Sequence, residues 1–441
     1  MKIIDGAAFD AYWSALAGNR EDDRVNEAVR AVIGAVREEG DAAVRRFAAR
    51  FDRSSPENLE VPPGEAKAAW RELETHEPDL ASALVLAADH IRLFAERQRD
   101  QFRDFEVEIA PGLFAGQRVI PVERAAIYAP GGRFPLVSSV LMGLIPAMTA
   151  GVTETALASP PGADGLPDRR ILAAAHLAGM KGRAPRIFAS GGAQAVAALA
   201  LGTETIPRCD VIAGPGNKYV AAAKRILFGE VGIDFVAGPT DVLIIADGAL
   251  TERAANLIAA DMLAQAEHDP DARARALVPS REAADSVASA LKTRLAGLAA
   301  AKADDVAQAS LDAGGLIIVY QDREEAIRIA NAIAPEHLEL HAGDVETWMR
   351  GLRNYGSLFV GDAAAEVLGD YSAGINHTLP TSGSARFTGG LSARHFLKIA
   401  TTLRCAAGSG YDAALAAAEK IALAEGLAGH AGSARIRMDR L

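Results

Sequence analysis

The chain has 441 residues, half of them apolar, 5% aromatic and 23% charged, with a net charge of −11. That length implies two large domains plus smaller pieces, and that composition belongs to a globular and not a disordered chain. The acidic balance, with no basic block and no basic run interleaved with aromatics, argues against nucleic acid as a partner. Met1 to Asp5 lacks a basic segment followed by a sustained apolar stretch, so no signal peptide is expected. The most apolar segment, Leu136 to Val152, is broken by Gly143, Pro146 and Gly151 and is too short to span a bilayer. Two cysteines, Cys209 and Cys405, make neither a disulfide framework nor a zinc-finger spacing. The expectation is a cytoplasmic protein with no membrane partner.

Residues 1–25 read as a short arm, followed by surface helices that break at Ser54-Ser55-Pro56. Residues 64–105 read as two more helices, the second with Leu84, Ala87, Ile91 and Phe94 along one stripe. The character changes near Arg118. Arg124 to Ala129 reads as a buried strand, Pro130-Gly131-Gly132 as a turn, and Leu136 to Thr149 as a helix. Three further strands follow, each leading toward a helix: Glu154 to Ala158, Arg186 to Ala189 and Asp210 to Ala213. This alternation implies a parallel sheet with ligands beyond the carboxyl ends of its strands. Three of its turns are glycine-rich, at Tyr128-Ala-Pro-Gly-Gly, Ser190-Gly-Gly-Ala-Gln194 and Gly214-Pro-Gly-Asn217. Glycine admits a ligand close to the backbone, and free amides at a helix start favour phosphate. None is the full dinucleotide fingerprint, because Tyr219 stands where a third glycine belongs. Tight helix-on-strand packing explains each turn equally well.

The second half begins at Ala237-Gly-Pro-Thr240, followed by a strand from Val242 to Ala246 and an amphipathic helix ending before Pro270. At about 100° per residue, Asp261, Gln265 and His268 fall within about 60° of one another in its last turns. Amide oxygen and imidazole suit borderline divalent ions, so Gln265 and His268 read as half of a metal site. A polar helix end is the plainer alternative. A second βα series continues to Leu358–Val360 and carries Glu336-His337 at a helix-to-strand junction. Glutamate beside histidine can divide proton abstraction from water activation. Asp370, Asn376 and His377 share a glycine-flanked loop, and Glu425 and His430 follow an alanine-rich helix. Gln265, His268, Asp370 and His430 together supply an N₂O₂ ligand set, with Glu336 and His337 as the acid–base pair.

The ordered motifs resemble the histidinol dehydrogenase family. They are Tyr128-Ala-Pro-Gly-Gly, Gly-Gly-Ala-Gln194, Gly-Pro-Gly-Asn217, Ala-Gly-Pro-Thr240, Gln265-Ala-Glu-His268, Ala-Pro-Glu336-His337, Gly-Asp370-Tyr, Asn-His377-Thr-Leu-Pro-Thr and Glu425-Gly-Leu…His430. The resemblance implies one zinc ion per subunit on Gln265, His268, Asp370 and His430. It implies an NAD site lined by Tyr128, Gln194 and Asn217. Thr240, His377 and Glu425, with the zinc ligands and His337, would bind substrate. His337 would take protons and Glu336 would activate water in the four-electron oxidation of L-histidinol to L-histidine. It further implies a homodimer in which Glu425 and His430 serve the partner's site. Thr240 and Asp241 stand where the family carries serine and glutamate, and Thr401 to Cys405 departs from its pattern.

The expected fold is α/β, with two incomplete Rossmann-like (doubly wound parallel sheet) domains and small helical segments at both ends. Residues 26–123 and 240–385 would form one discontinuous domain carrying the metal and acid–base residues. Residues 124–239 would be the inserted NAD domain, residues 1–25 an arm, and 386–441 a C-terminal segment. The alternatives are a relative oxidising another primary alcohol, such as a hydroxylated sulfonate, a zinc hydrolase, and a nucleotide-binding module with a structural metal. Four tetrahedral protein ligands leave no place for a hydrolytic water, and a structural zinc prefers thiolates. A thiohemiacetal route through Cys209 or Cys405 lacks a recognisable motif, so both read as structural.

Overall fold

The computed structural model describes residues 1–16, 23–52, 54–131, 135–179, 183–299 and 304–438. The expected turn residue Gly132 and part of the expected arm lie outside them.

Five parallel strands, β4 (Arg124–Tyr128), β5 (Glu154–Ser159), β6 (Arg186–Ala189), β7 (Val211–Ala213) and β8 (Gly232–Ile233), form one sheet in the order β6-β5-β4-β7-β8. Its connecting helices are α6 (Val137–Ala150), α7 (Arg169–Ala178), α8 (Gly192–Leu201) and α9 (Lys218–Leu227). The strands read as short apolar runs because both faces are covered.

The covering helices come partly from the N-terminal region. Helices α2 (Asp23–Glu39) and α3 (Asp41–Phe51) bury Val29, Val36 and Val44 against Phe188, Val196 and Ile212. Helices α4 (Glu65–His76) and α5 (Pro78–Arg99) bury Leu73, Leu84 and Ile91 with Ile127, Leu141 and Leu172. Their packing therefore groups 23–99 with the five-stranded sheet, which differs from the expected union of 26–123 with 240–385. Helical periodicity shows that a face is buried but not which sheet receives it.

The second sheet has six parallel strands in the order β1-β11-β10-β9-β12-β13. They are β1 (Lys2–Asp5), β9 (Asp241–Ala246), β10 (Arg273–Val278), β11 (Leu316–Val319), β12 (His337–His341) and β13 (Ser357–Val360). The expected N-terminal arm is in part an edge strand of this sheet, pairing Lys2 to Asp5 with Leu316 to Val319. Helix α1 (Phe9–Leu16) follows and seats Phe9 in the same core. Helices α10 (Glu252–Ala266), α11 (Arg281–Ala299), α12 (Asp304–Gly314), α13 (Arg323–Ile333), α14 (Val345–Gly351) and α15 (Glu366–Tyr371) complete this unit.

A third, antiparallel sheet joins β2 (Phe105–Ala110), β3 (Leu113–Pro121) and β14 (Leu397–Cys405), so the C-terminal segment opens with a strand before α16 (Ser409–Ala424) and α17 (Ala428–Met438). Phe105, Val107, Ile109 and Leu403 on this sheet are exposed, a concentration of apolar surface that globular monomers seldom leave bare. Among the described residues no helix is long and apolar enough to cross a membrane.

Candidate active site

The chemistry-bearing side chains of the six-stranded sheet gather at the amino ends of its central strands. Thr240 immediately precedes β9, Glu336 immediately precedes β12, and His337 is the first residue of β12. The expected rule of ligands beyond carboxyl ends fails for this group, because α10 and α15 run antiparallel to the strands and bring their C-terminal turns to the amino edge. Tyr128, Gln194 and Asn217 do stand at the carboxyl ends of β4, β6 and β7.

Glu336 is buried. Its Oε2 accepts from Thr240 Oγ1 at 2.5 Å and from the Asp241 amide at 3.1 Å, while its own amide donates to Asp241 Oδ1 at 3.2 Å. Asp241 is held in turn by buried Arg275 at 3.0 Å. Burial pushes the Glu336 carboxyl up to about 7, against the attraction of His337 and the bond from Thr240.

His337 is 3% exposed, and neither of its ring nitrogens has a hydrogen-bond partner. Three carboxylates surround it without bonding: Glu366 Oε1 at 3.5 Å and Glu336 Oε2 at 3.9 Å from Nδ1, and Asp370 Oδ1 at 3.6 Å from Nε2. Burial opposes a charge on this ring, yet Glu366, Glu336 and Asp370 prevail and hold it well above the ordinary histidine value. Burial, with repulsion from Asp370, Glu339 and Glu336, lifts Glu366 well above the usual carboxyl range despite the pull of His337. Burial resists the charge on Asp370 as well, but the attraction of His337, with His377 and His268 behind it, holds that carboxyl low.

Gln265 is fully buried. The single Thr240 hydroxyl proton goes to Glu336, so Gln265 meets Thr240 Oγ1 through its amide nitrogen, which donates at 2.7 Å. Helix α10 stops at Ala266, so His268 follows the helix rather than closing it. Its Nε2 lies 3.9 Å from Asp370 Oδ2, and donor atoms of His268, Glu366 and Asp370 all lie within 4.8 Å of one another. These imidazole and carboxylate donors crowd together beside an imidazole with two unpartnered nitrogens. A divalent ion suits the donor set that His268, Glu366 and Asp370 bring together, and Gln265 lies against Glu366 at its side.

His377 adjoins the group, with Nε2 2.9 Å from Ser139 Oγ on α6 of the five-stranded unit. Burial lowers its pKa. Glu425 and His430 are exposed at the α16–α17 junction and, among the described residues, do not join the donor cluster of their own chain. Glu366 was not foreseen. Its signal was the four-residue spacing to Asp370, which puts two carboxylates on one face of α15. Asp261, expected beside Gln265, instead meets Glu339 and His341 nearer the other end of β12.

At the five-stranded sheet, Tyr128 is buried and its hydroxyl accepts from the Gly192 amide at 3.1 Å. Gln194 is buried and donates to Asp52 Oδ2 at 3.3 Å. Asn217 caps α9, accepting from the amides of Tyr219 and Val220 at 3.0 and 3.1 Å. These helix-start amides are therefore already paired, contrary to the expectation that they stand free for phosphate. Gly214 has φ +116°, and a side chain there would collide with the Tyr128 carbonyl. Its amide donates to Asp234 Oδ2 at 2.8 Å and its carbonyl accepts from Lys224 Nζ at 3.0 Å, within a buried Lys224–Asp234 ion pair. The turn carrying Asn217 is thus pinned beside Tyr128. Cys209 is buried with its thiol pushed up to about 12 by burial, which suits a structural residue and not a nucleophile.

The sequence profile of the family described as histidinol dehydrogenase matches residues 17–438. The chain belongs to that family. It is 45% identical over 417 residues to a histidinol dehydrogenase from Thermus thermophilus, covering 94% of this chain and 95% of that one. It is 42% identical to one from Aquifex aeolicus, covering 96% and 95%. The crystal structure of histidinol dehydrogenase from Elizabethkingia anophelis superposes with a TM-score of 0.89 at 33% identity, over 99% of this chain and 97% of that one. Membership in a dehydrogenase family over nearly the full length sets aside the hydrolase and the non-enzymatic module.

Proposed function

We propose that the chain oxidises L-histidinol to L-histidine by way of L-histidinaldehyde, with two hydrides passing in succession to two NAD molecules. The observation that carries this reading is the buried Glu336–His337 pair, whose unpartnered imidazole stands against Glu366 and Asp370 of the donor cluster that His268 completes. Gln265, His268 and Asp370 would hold zinc, which when bound anchors the imidazole and amino nitrogens of the substrate. Tyr128, Gln194 and Asn217 would seat the nicotinamide cofactor, which accepts the hydrides.

His337 takes the proton of the alcohol oxygen as the first hydride leaves the carbinol carbon. No hydrogen bond engages either ring nitrogen, so the ring can take that proton once it has given up the one its carboxylate neighbours favour. Glu336, its carboxyl poised near 7 by burial, then removes a proton from the water that adds to the aldehyde while His337 returns its proton to the carbonyl oxygen, giving the hydrate and a neutral ring. His337 next takes a proton from the hydrated aldehyde as the second hydride departs. Thr240 orients Glu336 through the 2.5 Å hydrogen bond, and His377 binds substrate from the side of α6.

The same reading makes the protein a cytoplasmic homodimer with Glu425 and His430 entering the partner's site. Exposure of both residues, and the apolar face of the antiparallel sheet, support it.

The test is NADH yield from L-histidinol with metal-replete and chelated protein side by side. Two NADH per histidinol, abolished by chelation and restored by zinc, is expected. Turnover of another primary alcohol without turnover of histidinol would overturn the substrate assignment.

A further inference from the structure

The strand order β6-β5-β4-β7 is that of half a doubly wound nucleotide-binding sheet, with β4, β5 and β6 in the places of its first, second and third strands. In such folds an acidic side chain near the end of the second strand accepts from the ribose 2′-hydroxyl of NAD. Here β5 ends in Ser159 and runs into Pro160-Pro161, with no carboxylate.

A carboxylate reaches that place from elsewhere. Asp52, the C-cap of α3, is carried there by its own helix, with its amide held by the Ala48 carbonyl at 2.8 Å. It stands between the ends of β5 and β6, where a side chain on Gly191 would lie 2.7 Å from both Asp52 Oδ1 and Pro160 Cβ. Its Oδ2 accepts from the Gly191 amide and from Gln194 Nε2, both at 3.3 Å. Among the described residues Oδ1 accepts no hydrogen bond and no cation pairs with the group.

Two further groups at this edge are unpartnered. The hydroxyls of Ser159 and Ser190, at the ends of β5 and β6, are fully buried and bond to nothing among the described residues. Buried polar atoms left in this state point to a ligand that completes them. An ionised carboxylate only accepts hydrogen bonds, so a hydroxyl fits beside it and a phosphate is repelled.

We infer that Asp52 receives the adenosine ribose 2′-hydroxyl of the cofactor and thereby selects NAD over NADP. The inference rests on the NAD site proposed above. It assigns to an N-terminal helix the specificity element that a dinucleotide fold ordinarily carries on its second strand.

The test is kcat/KM for NAD and for NADP, at saturating L-histidinol, in the wild type, Asp52→Asn and Asp52→Ser. Both variants are expected to shift the NADP-to-NAD ratio toward NADP by at least tenfold, with KM for histidinol unchanged. Asparagine keeps the acceptor for the Gly191 amide, so a merely structural role would leave the ratio where it is. A measurement that needs no variant is the wild-type KM for NAD lacking the adenosine 2′-hydroxyl, expected to rise about tenfold. Gln194→Ala and Asn217→Ala serve as controls. If they raise KM for NAD while the Asp52 variants leave the ratio within twofold, Asp52 has no such role. If the controls themselves leave KM for NAD unchanged, the cofactor site is misplaced and both readings fall.

Discussion

Glu336→Gln tests whether the burial of this carboxyl serves chemistry at the expense of stability. Burial raises its pKa from 4.5 to about 7. At 1.36 kcal/mol per unit, the ionised form costs the fold about 3 kcal/mol as an upper figure. The sign follows from the two states. The unfolded chain ionises at 4.5, whereas the folded protein holds its proton to about 7. The cost is therefore absent below 4.5, grows across that window and is complete above 7. Glutamine has the same size and no charge, and its oxygen can still accept from the Asp241 amide. In metal-stripped protein, urea midpoints of wild type and variant should coincide near the lower bound of the window. At pH 8, about one unit above its upper bound, the variant should be more stable by up to about 3 kcal/mol. Loss of the water-activating base should slow the second oxidation by about 10²–10⁴-fold and spare the first. A single-turnover assay would then yield one NADH per histidinol instead of two. A variant less stable than wild type at pH 8, or one that loses both oxidations equally, would refute the reasoning.

His337→Asn should slow both oxidations by about 10²–10⁴-fold while histidinol still binds, measured on histidinol and histidinaldehyde separately. Mixing His268→Ala with His430→Ala subunits after dissociation should restore about a quarter of wild-type activity, since half the dimers are mixed and each has one intact site. Ligands acting within one chain would give no recovery. Lys224→Met strands Asp234 in the core and should cost about 3–5 kcal/mol in urea unfolding, with KM for NAD raised; adding Asp234→Asn should recover part of that loss.

Local grammar was legible wherever one segment carries the whole signal. The strand-to-turn-to-helix series from Arg124 to Leu227 stands where the glycine-rich turns put it, and the Gln265–His268 spacing sets His268 beside Asp370 and Gln265 beside Glu366. What sequence could not supply was the choice of partner. The stripe on α5 meets α6 and not the second sheet, and Lys2 to Asp5 gains strand character only through β11. The alternation Phe105-Glu106-Val107-Glu108-Ile109 is a strand pattern by itself. It was obscured because its apolar side chains are exposed in the single chain and enter no local core. Asp52 was invisible as a site residue, since nothing near it in sequence predicts contact with Gln194, 142 positions away.

The placement of the acid–base pair follows from two spacings that nearly match. On β12, His337, Glu339 and His341 share one face, while Leu338 and Leu340 fill the core on the other. Successive members of the polar face are about 6.6 Å apart. Four helical residues rise about 6 Å. Because α10 and α15 run against β12, Asp261 comes opposite Glu339 and His341, whereas His268, Asp370 and His337 converge one step on, at the amino edge. Two helices and a strand can therefore carry a continuous seam of ionisable groups in register, which no single sheet face or helix face supplies. Burying such a seam is costly, and it is concentrated where His377 from one unit meets Ser139 from the other. The pair proposed for acid–base work thus lies at the junction of the two sheets, where the proposed function has a substrate at the amino edge of one meet a cofactor at the carboxyl edge of the other.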